Sequence, residues 1–264
     1  MQEIDFYLVD AFSDKTFGGN AAAVCPLEEW LPDDILLKMA HQHNQSETAF
    51  FVRTDAGFEL RWFTTLHEIN LCGHATLAAA HIIFEYLDYP HTEITFSTRF
   101  VGDLTVKRSG DWLTLNFPAW QTEAVENPPA LLLSSLGLRE AKEVRVGRDY
   151  MVVLDNQQQV EAIAPNIAAM IPLGKMVCVT APGEEYDFVS RFFCPGEGVP
   201  EDPVTGSTHS MLIPYWSDRL GKTQLNARQV SYRGGDLRCE YLGDRVLIGG
   251  KATLYMKGKI YLRG

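Results

Sequence analysis

Residues 74–86 carry Ala75, Leu77, Ala78, Ala79, Ala80, Ile82, Ile83 and Phe84, so a helix here is apolar around nearly its whole circumference. A helix without a polar face must be buried on every side. A shorter stretch, residues 210–216, repeats the pattern with Met211, Leu212, Ile213, Tyr215 and Trp216, interrupted by Pro214. Both lie among segments that alternate like strands. A chain obliged to bury two helices amid many strands can wrap a strand layer around each. The expected class is therefore α+β: two similar β-barrel-like domains, each around a central helix, related by internal duplication. The length of 264 residues suits two domains of ordinary size. The halves share a pattern rather than identity, and no short-period repeat is present.

The boundaries follow from composition. Residues 1–118 are read as the first domain. Residues 119–129, polar and closed by Pro128 and Pro129, are read as a linker. Residues 130–264 are read as the second domain, with room for the last strand to return to the first. Residues 32–41 should form an amphipathic helix opened by Pro32, Asp33 and Asp34. Thr54-Asp55-Ala56-Gly57 should turn one strand into the next. Further helices are expected over residues 74–86, 158–170 and 206–220.

Net charge is −11, from 23 basic against 34 acidic residues, with no Lys/Arg-rich run. That argues against nucleic acid and anionic membranes as partners. The longest largely apolar run, residues 75–84, is too short to span a bilayer and contains Thr76 and His81. The acidic start enters a strand-like segment at once, unlike a signal peptide. The five cysteines are odd in number and widely spaced, with no CxxC, as expected of free thiols in a reducing cytoplasm. No GxGxxG, Walker A, HExxH or GxSxG motif is present, and His41-Gln42-His43 has no ligand partner at metal spacing. No metal or cofactor is expected.

Two glycine turns precede the buried helices: Cys72-Gly73-His74 and Thr205-Gly206-Ser207. Helix starts offer backbone N–H groups and a positive dipole end, which suits a small anionic metabolite. Cys72, Gly73, Thr205 and Gly206 are thus candidate binding positions. Each candidate for chemistry also has a plain alternative. Glu47, where a loop meets an apolar strand, reads as a solvated carboxylate or as a general acid/base. His74 reads as a core histidine or as a hydrogen-bonding ring that the helix start keeps neutral. Asp202 reads as an ordinary Asp-Pro turn residue and Ser207 as a helix cap, or both as parts of a site.

Read together, these residues resemble the PhzF family of phenazine-biosynthesis-like isomerases. The resemblance is carried by Asp10-Ala11-Phe12 with Phe17-Gly18-Gly19-Asn20, by Asn44-Gln45-Ser46-Glu47-Thr48, and by Arg61-Trp62-Phe63-Thr64 with Glu68. It continues through Cys72-Gly73-His74-Ala75-Thr76-Leu77, Arg191-Phe192-Phe193, Glu201-Asp202-Pro203-Val204-Thr205-Gly206-Ser207 and Arg233-Gly234-Gly235. It implies a diaminopimelate epimerase-like fold, an active site between the two domains, a homodimer, and a proton shift between carbons without a cofactor. It further implies Glu47 as the acid/base, with His74, Asp202 and Ser207 as its catalytic partners, and Asn20 and Ser46 beside the substrate. Two positions depart from the family pattern: Thr65 where a proline is usual, and Ala21 after Asn20. Two rivals are an amino-acid racemase or epimerase and a non-catalytic small-acid binder. Two-thiol epimerisation needs a second thiol, and the position matching Cys72 is Thr205.

Overall fold

The structure is a computed structural model that describes residues 1–263. The chain forms two compact units, Met1–Asn116 with Gly249–Gly264, and Phe117–Ile248.

In the first unit, Gln2–Ala11 pairs antiparallel with Asn20–Leu27, which runs parallel to Thr48–Thr54. A parallel pair needs a crossover, supplied here by helix α1, Asp33–His43. Thr48–Thr54 turns tightly into antiparallel Gly57–Phe63. That strand runs parallel to Glu93–Thr98, and the crossover is helix α2, Gly73–Tyr86. Glu93–Thr98 then pairs antiparallel with Leu104–Ser109. Eleven residues of α2, Gly73–Ala80 and Ile82–Phe84, are buried. Its four alanines let the surrounding strands approach closely, and Leu77, Ile82 and Ile83 fill the space they leave. A second core, from Ile4, Leu27, Leu36, Met39, Phe50 and Phe63, lies under α1.

The second unit repeats this order. Glu143–Val146 pairs antiparallel with Tyr150–Val153, which runs parallel to Val177–Pro182. Helix α3 (Ala130–Ser135) precedes this hairpin, and α4 (Gln157–Glu161) with α5 (Ile167–Met170) lies in the crossover. Val177–Pro182 pairs antiparallel with Phe188–Cys194, which runs parallel to Gln224–Gln229 across helix α6, His209–Leu220. Gln224–Gln229 pairs antiparallel with Gly235–Tyr241. The same sequence of antiparallel, parallel, antiparallel, parallel and antiparallel pairings thus occurs in both units, each with a buried helix in its second crossover. The expected architecture of strand-wrapped central helices is the observed one.

Three local expectations are corrected. Residues 158–170 are not one helix, because Pro165 disfavours helical backbone at the residue before it. Two short helices result, and the side chains of Asn156 and Asn166 cap them by accepting from the N–H groups of Gln159 and Ala169. Helix α6 starts at His209 rather than at Gly206, after a tight turn in which His209 N–H donates to Gly206 O at 3.1 Å and Ser210 N–H to Ser207 O at 3.2 Å. Residues 119–129 are not a free linker: Glu123–Ala124 pairs with Val146 and Arg145, and Arg145 donates to the Thr122 hydroxyl at 2.8 Å. Pro214 explains part of this. It has no N–H for the Ser210 carbonyl one turn earlier, and Trp120 N–H donates to that carbonyl at 2.8 Å instead. Ala252–Leu262 pairs along Gln2–Ala11, so the chain's last strand returns to the first unit, as the sequence leaves room for. Among the described residues, no helix is long and apolar enough to cross a membrane.

Candidate active site

Glu47 is placed by the end of α1. Asn44 stops that helix in the left-handed conformation (φ 53°), its N–H donating to Ala40 O. The chain then turns into the strand starting at Thr48. The Thr48 hydroxyl lies 3.1 Å from His43 Nδ1. Burial pushes His43 down to about 4, so its ring is neutral and Nδ1 can accept from that hydroxyl. Ala23 N–H donates to Glu47 O at 3.3 Å, which ties the glutamate backbone to the neighbouring strand. Ser46 precedes it and is half-buried.

His74 sits in the first turn of α2, after Cys72 at the N-cap position and Gly73 at the first helical position. Thr76 locks that turn through its hydroxyl, which donates to Cys72 O at 2.6 Å. His74 Nε2 and Glu47 Oε2 are 3.2 Å apart. The contact is an ion pair without hydrogen-bond alignment, and each of these buried atoms has no other hydrogen-bond partner. On the far side of the ring, Nδ1 lies 3.1 Å from Asn20 Nδ2 and 3.5 Å from Cys72 Sγ. Gly19 turns the chain into Asn20 at φ +61°, where a Cβ would sit 2.0 Å from Ala11 O.

Electrostatics separate the groups. Burial opposes the imidazolium, as the helix start does, but Cys72 beside Nδ1 and then the Glu47 carboxylate beside Nε2 together outweigh it and hold His74 well above its ordinary 6.5. A neutral ring, expected from the helix start alone, is thereby corrected by Cys72 and by Glu47, the latter 27 residues away in sequence. Burial, then Glu47, push Cys72 up to about 11. It is a thiol at neutral pH. Glu47, Cys72 and His74 are close enough to suggest a metal site.

In the second unit, Asp202 (8 % exposed), Thr205 (7 %) and Ser207 (8 %) gather before α6. The Thr205 hydroxyl donates to Asp202 Oδ2. Gln229, fully buried, staples the turn: its Oε1 accepts from Thr205 N–H at 2.9 Å and its Nε2 donates to Asp202 O at 2.6 Å. The Ser231 hydroxyl donates to Pro203 O at 2.7 Å. Ser207 accepts through its carbonyl in the tight turn, and the N-cap of α6 is Thr208.

Both turns hang from the same frame. Arg61 grips Glu68 bidentately at 2.7 and 2.8 Å and lies 5.1 Å over the Phe63 ring. Arg191 grips Glu201 at 2.7 and 2.9 Å and lies 5.1 Å over Phe193. Each glutamate stands five residues before its glycine, Gly73 or Gly206. Planar forks of this kind fix direction as well as charge.

The structure thus brings Asn20, Glu47, Cys72, Gly73 and His74 together in the first unit, and Asp202, Thr205, Gly206 and Ser207 in the second. Sequence reasoning gave no role to Gln229, His43 or the two forks. The repeated Arg-x-Phe, with a glutamate five residues before the turn glycine, was the available signal for the forks.

A family model described as "Phenazine biosynthesis-like protein" matches residues 9–258. An "Uncharacterized isomerase" of Pseudomonas aeruginosa is 48% identical over 261 residues, 98% of this chain and 100% of that protein. The crystal structure of a phenazine biosynthesis protein of the PhzF family from Enterococcus faecalis superposes with a TM-score of 0.94 at 42% identity, covering 99% of this chain and 100% of that one. A hydroxyproline epimerase from Agrobacterium vitis shares the fold at 10% identity, with a TM-score of 0.62 over 98% of this chain and 91% of its own.

Proposed function

The chain belongs to the phenazine biosynthesis-like (PhzC-PhzF) family, and on that premise we propose that it is a cofactor-independent isomerase that shifts a proton between carbons of a small carboxylate-bearing substrate. One observation carries the reading: Glu47 Oε2 and His74 Nε2 are buried, 3.2 Å apart, and have no other hydrogen-bond partner. Such a pair is held ready for a third group. Glu47 takes a proton from one carbon and returns it to another, and His74 steadies the carboxylate and shares its proton. The first turn of α2 offers backbone N–H groups to an anionic part of the substrate. Asp202, Thr205, Gly206 and Ser207 are the second unit's candidate substrate-holding positions, a role that the Gln229 staple supports by keeping their turn rigid.

Two-thiol epimerisation is disfavoured. Cys72 is a buried thiol pushed up to about 11, and Thr205 stands where a second thiol would have to be. The test is turnover of β,γ-unsaturated or dihydroaromatic carboxylic acids, followed by proton NMR as migration of the double bond. The expected result is isomerisation with nothing added, and a loss of about 10²–10⁴-fold in Glu47→Gln. Turnover that requires an added redox cofactor, or full activity in Glu47→Gln, overturns the proposal.

A further inference from the structure

Asn20 is expected at the substrate from the family resemblance, yet its amide is spent elsewhere. The residue is 1 % exposed, and its Nδ2 lies 3.1 Å from His74 Nδ1. The two ring nitrogens therefore have separate neighbours: the amide and the Cys72 thiol at Nδ1, the Glu47 carboxylate at Nε2.

We propose that Asn20 is the positioning residue of His74, its amide holding Nδ1 with or without a proton there, so that Nε2 keeps its hydrogen toward Glu47 in both states. The inference rests on the Glu47–His74 reading above. An amide is suited to this because it has both hydrogen-bonding senses. Its NH₂ donates to a bare Nδ1. Turned by 180°, its oxygen accepts from a protonated Nδ1. A carboxylate can only accept, an aliphatic side chain can do neither, and the Cys72 thiol is weak in both senses. The titratable groups facing the ring are Glu47 and Cys72. Proton uptake by the ring then alters Nδ1 and leaves the Nε2 edge unchanged, so the ring need not turn during proton transfer. The position of Asn20 is itself fixed, since it heads its strand opposite Ala11, directly after the left-handed Gly19.

The test is the tautomer of His74 in the full chain labelled with ¹⁵N-histidine and read without substrate. Long-range proton–nitrogen spectra between about pH 5 and 9 cover the range in which a histidine changes state. The His74 signals are assigned by their loss in His74→Gln. In the wild type, Nε2 should carry hydrogen throughout, and only Nδ1 should change with pH. Asn20→Asp should keep Nδ1 protonated across the range, and Cys72→Ala should leave the wild-type pattern. A neutral wild-type ring with its hydrogen on Nδ1 overturns the proposal, as does an Asn20→Asp spectrum identical to wild type. If Asn20→Asp does not fold, the wild-type tautomer and Cys72→Ala decide alone. Because no substrate is present, this result can fail while Glu47 remains essential for turnover, and the reverse.

Discussion

The two glycine turns share a frame and differ in what it holds. In both, an arginine clasps a glutamate five residues ahead of the glycine and lies over a phenylalanine two residues on from itself. In both, a buried amide braces the turn residues, Asn20 in one and Gln229 in the other. Yet the first turn presents a histidine against a carboxylate, and the second an aspartate already bound by a threonine hydroxyl. The histidines sharpen the contrast. His74 has Glu47 at Nε2 and is held well above 6.5, whereas burial pushes His209, at the start of α6, down to about 4. His209 Nδ1 lies 2.8 Å from Thr205 O, so Nδ1 carries its hydrogen, the opposite tautomer to the one assigned to His74. The two units thus share the order of their strand pairings and the frame of their turns, while one turn sets a histidine against a carboxylate and the other an aspartate against a hydroxyl.

The forks give the largest test of the shared frame. Arg191→Met strands Glu201 and the Ile163 carbonyl, which accepts from Arg191 at 2.7 Å. It should cost about 3 kcal/mol in urea unfolding, the lower end for opening a buried ion pair, because this pair is partly buried. Arg61→Met should cost less, about 2 kcal/mol, because Arg99 still reaches Glu68 at 3.0 Å and exposed Asp33 is rehydrated. Equal losses, or a larger loss for Arg61, would break the comparison.

The amide braces come next. Gln229→Leu leaves the Thr205 N–H and the Asp202 carbonyl unsatisfied in a buried turn and should destabilise by about 1–3 kcal/mol. Gln229→Glu keeps the acceptor but buries a carboxylate whose second oxygen faces the Asp202 carbonyl, so it should destabilise more than Gln229→Leu. No difference between the two variants would remove the staple from the account.

The histidine contrast is a test by pH. His209 refuses a proton that the unfolded chain accepts at 6.5, so stability falls as pH drops from about 6.5 to about 4. The slope approaches about 1.4 kcal/mol per pH unit within that window. His74 has the opposite sign: its contribution is fully present below 6.5 and is lost as pH rises through its raised folded value. His209→Gln should flatten the acid limb and His74→Gln the alkaline one. If His74→Gln changes the acid limb alone, the assignment of Glu47 as its partner is wrong.

Much of this was legible in the sequence because burial leaves a strong pattern. A helix apolar on all sides, such as residues 75–84, has few places to go, and the glycine before it marks its start. The first-unit cluster was legible as separate residues, although its electrostatics were not. The helix start pointed to a neutral His74, and only the fold shows Glu47 against Nε2. Residues 119–129 misled because a polar, proline-bounded stretch has the composition of both a linker and a short edge strand. Residues 158–170 misled because Asn156 and Asn166 cap two short helices that a window of helical residues merges. Gln229 was silent, since a glutamine at a strand end has no local signature and its partners lie 24 and 27 residues earlier.

Deuterium transfer from solvent tests the central claim most directly. With a turned-over carboxylic acid in D₂O, mass spectrometry and NMR read label on carbon for the wild type, Glu47→Gln and Ser207→Ala side by side. The division of labour proposed here predicts label at the receiving carbon in the wild type, slower but intact labelling in Ser207→Ala, and none above background in Glu47→Gln. Labelling by Glu47→Gln at the wild-type rate would contradict it.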